Sequence, residues 1–114
     1  MKTPSLLILT AALTLCFNVC AADAPQGAMR HAEKGVACAS CHGADNSVAY
    51  PSIDQCRTCH DPKAVAEKTK NVKPQNPHQS PHYGTELDCV LCHVQHGETE
   101  NYCDQCHTFK YKVP

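Results

Sequence analysis

The sequence predicts a mostly coil chain with short α-helices, organised around bound groups rather than around a hydrophobic core. Three observations carry this. The chain has 114 residues, no tryptophan, 2 phenylalanines and 4 tyrosines. It is therefore one domain at most, and poor in the large side chains that fill a core. It has 10 cysteines, far above ordinary usage. No segment alternates apolar and polar residues with the period of two that marks a strand. Small domains of this kind make up the deficit with disulfides, metals or cofactors.

The N-terminus predicts the compartment. Lys2 supplies a positive start, Leu6 to Leu15 reads LLILTAALTL, and Val19-Cys20-Ala21-Ala22 supplies small residues for cleavage. This pattern is a secretory signal peptide over residues 1–22, cut after Ala21 or Ala22, and its apolar run is too short to span a membrane. Leu15 and Val19 precede Cys16 and Cys20 and are larger than the residue a lipid-modified cysteine follows, so an anchored lipoprotein is disfavoured. The mature domain is then 23–114, exported to the periplasm.

That domain keeps eight cysteines in four pairs, each with two residues between its members and a histidine directly after. They are Cys38-Ala-Ser-Cys41-His42, Cys56-Arg-Thr-Cys59-His60, Cys89-Val-Leu-Cys92-His93 and Cys103-Asp-Gln-Cys106-His107. This is the attachment pattern of haem c. Two cysteines three positions apart stand about one helical turn apart, so both thiols can reach the two vinyl groups of one porphyrin. The histidine that follows is carried under the ring as the proximal iron ligand. A disulfide framework would not place a histidine after every second cysteine. Two four-cysteine zinc sites would leave the four histidines without a role. A thioredoxin-like redox motif requires a βαβ context that the chain lacks.

Four further histidines, His31, His78, His82 and His96, bring the total to eight. Four irons need four sixth ligands, so these are the candidate distal ligands. Met29 is the one methionine of the mature domain, and it reads as an ordinary side chain. The simplest assignment is four haems with histidine on both faces. His96 lies three residues after His93, too close to reach the far face of the same haem, and so is expected to serve a neighbouring one. Asp61-Pro62 before Lys63–Lys70 predicts a helix, with aspartate at the cap and proline at the first helical position. His78 and His82 have a helical i, i+4 spacing, but Pro81 between them argues against a continuous helix and allows them to serve different irons.

The order His31, CASCH, CRTCH, a His-Pro-rich stretch with His78 and His82, CVLCHVQH and CDQCH resembles the small periplasmic tetrahaem cytochromes c. It is also similar to the tetrahaem domain of flavocytochrome c fumarate reductases. The resemblance covers the whole mature chain, and CVLCHVQH is its most specific element. Classical tetrahaem cytochromes c3 are a more distant comparison in ligand order and spacing. One departure is visible: the interval from Cys59 to Cys89 is longer here and contains the helix candidate. The resemblance implies a small multihaem fold built around four bis-histidine haems in a closely spaced chain. It implies a shuttle between membrane-anchored quinol-oxidising cytochromes and periplasmic reductases or outer-membrane cytochromes in anaerobic respiration. The alternative is a dedicated donor subunit of one periplasmic reductase.

An iron with histidine on both faces has no position for substrate, so a carrier is favoured over an enzyme and no catalytic residue is assigned. The net charge is −1, and becomes −2 once Lys2 leaves with the signal peptide. Haem propionates would make it more negative. That argues against nucleic acid and for redox partners with basic docking patches. The chain is further expected to be a monomer and not embedded in the membrane.

Overall fold

A computed structural model describes residues 26–114. The signal peptide expected over residues 1–22 lies outside the described residues. Four short helices punctuate a coil: α1 (Gly27–Glu33), α2 (Ala39–His42), α3 (Ile53–Arg57) and α4 (Pro62–Lys68). Three 3₁₀ turns accompany them, at Ala44–Asn46, Cys89–Leu91 and Tyr102–Gln105. Among the described residues the only β pairing is an isolated bridge between Ser80 and Gly84. No helix among the described residues is long and apolar enough to cross a membrane.

Local signals account for the two best-formed starts. Asp61 caps α4, its carboxylate accepting from the backbone N–H of Lys63 at 3.3 Å and of Ala64 at 3.2 Å, with Pro62 at the first helical position. Such a cap contributes about 1 kcal/mol. The helix stops two residues earlier than the sequence predicts. The Thr69 hydroxyl turns back on the Val65 carbonyl at 2.9 Å, and the chain leaves the helix through a turn closed by Val72 N–H on the Thr69 carbonyl. A capping box starts α3, with the Ser52 backbone N–H donating to Gln55 Oε1 at 2.8 Å.

The interior is nearly absent from the polypeptide. Among the described residues only Ala66 is a buried hydrophobic residue, and no polar residue is buried. Tyr50 is 92 % exposed and Met29 56 %. The segments are tied by a few long-range bonds instead. Ala28 N–H donates to the Gln95 carbonyl, Tyr111 Oη–H to the Gln75 carbonyl at 2.6 Å, and Thr99 Oγ1–H to the Val113 carbonyl. Gly27 permits the first of these, because a Cβ there would stand 2.5 Å from the Gln95 side-chain oxygen.

Candidate functional site: four facing histidine pairs

Each CxxCH motif folds into the same single turn. The second cysteine's N–H donates to the first cysteine's carbonyl at 3.2 Å in all four motifs. The histidine's N–H donates to that same carbonyl, at 3.0 Å for His42 and 2.8 Å for His60, His93 and His107. All eight cysteines of the described residues, Cys38, Cys41, Cys56, Cys59, Cys89, Cys92, Cys103 and Cys106, are free thiols. In every motif the turn puts two thiols and one imidazole in a fixed relation, the local form that attachment to one porphyrin needs.

The imidazoles then meet in pairs. His31 faces His60 with ring centres 6.1 Å apart, and His42 faces His96 at 6.0 Å. His78 faces His93 at 6.1 Å, and His82 faces His107 at 6.1 Å. Every pair joins one motif histidine to one of the other four, and none of the eight is left over. A metal–imidazole bond of about 2 Å, with about 1 Å more to each ring centre, separates two rings on opposite sides of one metal atom by about 6 Å. The pairs have that spacing. Among the described residues no three His, Cys, Asp or Glu side chains converge as a metal-holding group. Two axial imidazoles suit an iron whose other four positions are macrocycle nitrogens, whereas a tetrahedral zinc site takes three or four protein ligands.

Hydrogen bonds set the tautomers. His31 Nδ1–H donates to the Gly27 carbonyl at 2.8 Å, and His42 Nδ1–H to the Val48 carbonyl at 2.9 Å. A carbonyl only accepts, so Nδ1 carries the proton and Nε2 keeps the lone pair that a metal takes. Gly43 makes the second bond possible: at φ +71° it reverses the chain directly after His42, and a Cβ there would meet the Ser47 hydroxyl at 2.4 Å. His78 has a side-chain partner, Thr69 Oγ1 at 3.0 Å. Burial holds His78 and His93 below the ordinary imidazole range, which favours the neutral, ligating form.

Neighbouring motifs touch. Helix α2 packs on α3, and α3 on the Cys89–Leu91 turn. The Cys56 thiol donates to the Ser52 carbonyl at 3.4 Å, and burial pushes Cys56 up to about 12, with the nearby Cys89 and Asp88 adding to the rise. Cys92 Sγ accepts from Tyr102 N–H at 3.4 Å, beside Cys103. The four units thus run side by side. The fourth also gathers aromatic rings. Phe109 stacks on His107 at 4.5 Å, Tyr111 leans on Phe109, and Tyr83 touches both His82 and Tyr102.

A family model described as cytochrome c3 matches residues 30–108, a span that begins beside His31 and ends just past the fourth motif. The chain belongs to the cytochrome c3 family. It is a multihaem electron-transfer protein of the haem c type, related to reductase cytochromes. It is 47 % identical over 81 residues to the acrylate reductase cytochrome subunit of Shewanella woodyi, covering 68 % of each chain. It is 32 % identical over 115 residues to a probable fumarate reductase of Shewanella frigidimarina. That match takes in 98 % of this chain but 19 % of the relative, so this cytochrome spans about a fifth of the reductase's length. No solved structure matches. The fold agrees with the sequence reading in being mostly coil with few short helices.

Three participants escape sequence reasoning. The carbonyls of Gly27 and Val48 are backbone atoms and carry no residue-type signal. Thr69 stands nine residues before His78, and only its place at the end of a predicted helix marks it.

Proposed function

We propose that the chain is a periplasmic tetrahaem electron carrier. It would carry electrons from quinol-oxidising membrane cytochromes to terminal reductases in anaerobic respiration. The observation that carries this reading is the set of four imidazole pairs at 6.0–6.1 Å, one pair to each CxxCH turn.

On this reading Cys38 and Cys41, Cys56 and Cys59, Cys89 and Cys92, and Cys103 and Cys106 each hold one haem covalently. His42, His60, His93 and His107 are the proximal ligands. His96, His31, His78 and His82, in that order, are their distal partners. Bound there, the haems supply a reversible one-electron iron couple. The polypeptide's own contribution is to close both axial positions. With an imidazole on each side, water and substrate are excluded, and the chain carries electrons without catalysing a reaction of its own. The fixed Nδ1–H tautomers of His31 and His42 keep the donor nitrogen ready in both oxidation states, so little reorganisation accompanies each transfer.

A second reading has its own support. Similarity to the acrylate reductase cytochrome subunit favours a dedicated donor subunit of one periplasmic reductase. Pull-down from periplasmic extract separates the two: a stoichiometric reductase favours the subunit, and the chain recovered alone as a monomer favours the shuttle. The carrier reading itself is tested by mass spectrometry with a pyridine haemochrome assay. The expected result is four haems per mature chain and no free thiol. Tightly bound zinc without haem would overturn it.

A further inference from the structure

We propose that Thr69 is a positioning residue for the third haem site, its hydroxyl accepting the Nδ1–H of His78 and so setting the tautomer, orientation and donor strength of that imidazole. The proposal rests on His78 being an axial ligand, as argued above. Thr69 Oγ1 has four polar neighbours: His78 Nδ1 at 3.0 Å, the Val65 carbonyl at 2.9 Å, the Ala66 carbonyl at 3.3 Å and Asn76 Oδ1 at 2.8 Å. The orientation of Asn76 is settled by its other contacts. Its Nδ2 donates to the Ala66 carbonyl at 2.8 Å, and its Oδ1 accepts the His78 backbone N–H at 3.0 Å.

A hydroxyl has one proton to give. Donation to His78 Nδ1 would leave three oxygens facing Oγ1 with no proton between, whereas donation to one of them leaves two and lets the imidazole N–H fill the fourth contact, so the proton goes to an oxygen. A lone pair is left for the fourth neighbour, His78 Nδ1. That nitrogen therefore carries its proton, and Nε2 is free to bind a metal. The other two observed Nδ1 partners, the carbonyls of Gly27 and Val48, belong to the backbone and no substitution removes them. At His78 the partner is a side chain, so this iron's ligand field is open to tuning by sequence. The long interval between Cys59 and Cys89 thereby gains a purpose, since α4 ends where it must for Thr69 to meet His78.

An acceptor on Nδ1–H shifts electron density toward Nε2 and strengthens it as a donor, more so for ferric than for ferrous iron. The test uses the haem-loaded protein with Thr69→Val, which keeps the shape and deletes the hydroxyl, and Thr69→Ser, which keeps the hydroxyl. In Thr69→Val one of the four reduction potentials rises and one set of ferric haem-methyl resonances moves. His78 is displaced by carbon monoxide about 10- to 100-fold more readily, the usual cost of losing an outer-shell partner. Thr69→Ser returns all three readouts toward wild type. Unchanged potentials and resonances in Thr69→Val overturn the proposal, and so does a Thr69→Ser protein as altered as Thr69→Val. Should Thr69→Val fail to mature, the wild type still decides. In the diamagnetic reduced protein, a ¹⁵N-labelled His78 Nδ1–H that exchanges slowly and lies close to the Thr69 methyl supports the bond, and rapid exchange overturns it. A haemochrome count on the same samples keeps the two claims apart: fewer than four haems in wild type is a failure of the tetrahaem reading, not of the role of Thr69.

Discussion

His31 meets His60 edge-on, with their rings at 82°, whereas the other three pairs lie at 30°, 14° and 27°. Two axial imidazoles donate through π orbitals perpendicular to their ring planes. Parallel rings act on the same iron d orbital and split it from its neighbour. Crossed rings act on both equally and leave them nearly degenerate. The electron paramagnetic resonance spectrum of the fully oxidised protein should therefore contain two kinds of low-spin ferric signal. One haem in four should give the highly anisotropic, large-gmax form and three the ordinary rhombic form. Loss of the minority signal in His31→Ala would assign it to the second motif. Four alike signals would contradict the crossed geometry. At this scale the sequence shows every cysteine and histidine of the site, because the two residue types are few and rigid in spacing, but not Thr69. It does not show the pairing, since partners stand 15 to 54 positions apart and nothing in a coil fixes which segments meet. Met29 is 56 % exposed.

The elements are legible where a cap announces them. Asp61 and Pro62 mark α4 in the sequence, and Asp61 caps it in the structure. The start of α3 carries a readable signal in Ser52 and Gln55, a capping box easily overlooked beside the adjoining motif. Helix α1 has no such mark: Gln26 gives it no side-chain cap, and its place is fixed by Ala28 N–H on the Gln95 carbonyl. That contact brings α1 against the segment carrying His93 and His96. This segment is the most consequential in the chain, because its two histidines face different partners, His78 and His42. Replacing His96 by alanine is expected to open one iron, that of the first motif, and to leave covalent attachment intact. Reduced native protein should bind almost no carbon monoxide, and His96→Ala about one equivalent, given one distal ligand per iron. Perturbation of the His93 site instead would show that His96 does not serve the first motif.

For the whole molecule, one buried hydrophobic residue among those described cannot offset the conformational entropy of ordering the chain. The fold class is legible from this shortage of large apolar residues together with the cysteine count and the lack of a strand period. A chain with all eight motif cysteines changed to alanine, and so without attached haem, should be largely unfolded by circular dichroism and melt without a cooperative transition. A sharp melt would show a polypeptide core that burial does not reveal. Charge is distributed unevenly at this scale as well. Lys63, Lys68, Lys70 and Lys73 are exposed on and just after α4, while Glu86, Asp88, Glu98, Glu100 and Asp104 fall in the C-terminal third.

The interlaced pairing has a consequence for biosynthesis. A polypeptide delivered N-terminus first presents His42 long before His96, and His31 well before His60. The second site is the first that can be completed, once residue 60 has emerged. The third follows at residue 93, the first only at residue 96 and the fourth at residue 107. On the ligation proposed above, the iron held at the first motif would wait almost to the end for its second axial ligand. During that interval it would be the one open, ligand-binding iron on the proposed ligation, and the stretch of chain from 43 to 96 would set how long that exposure lasts.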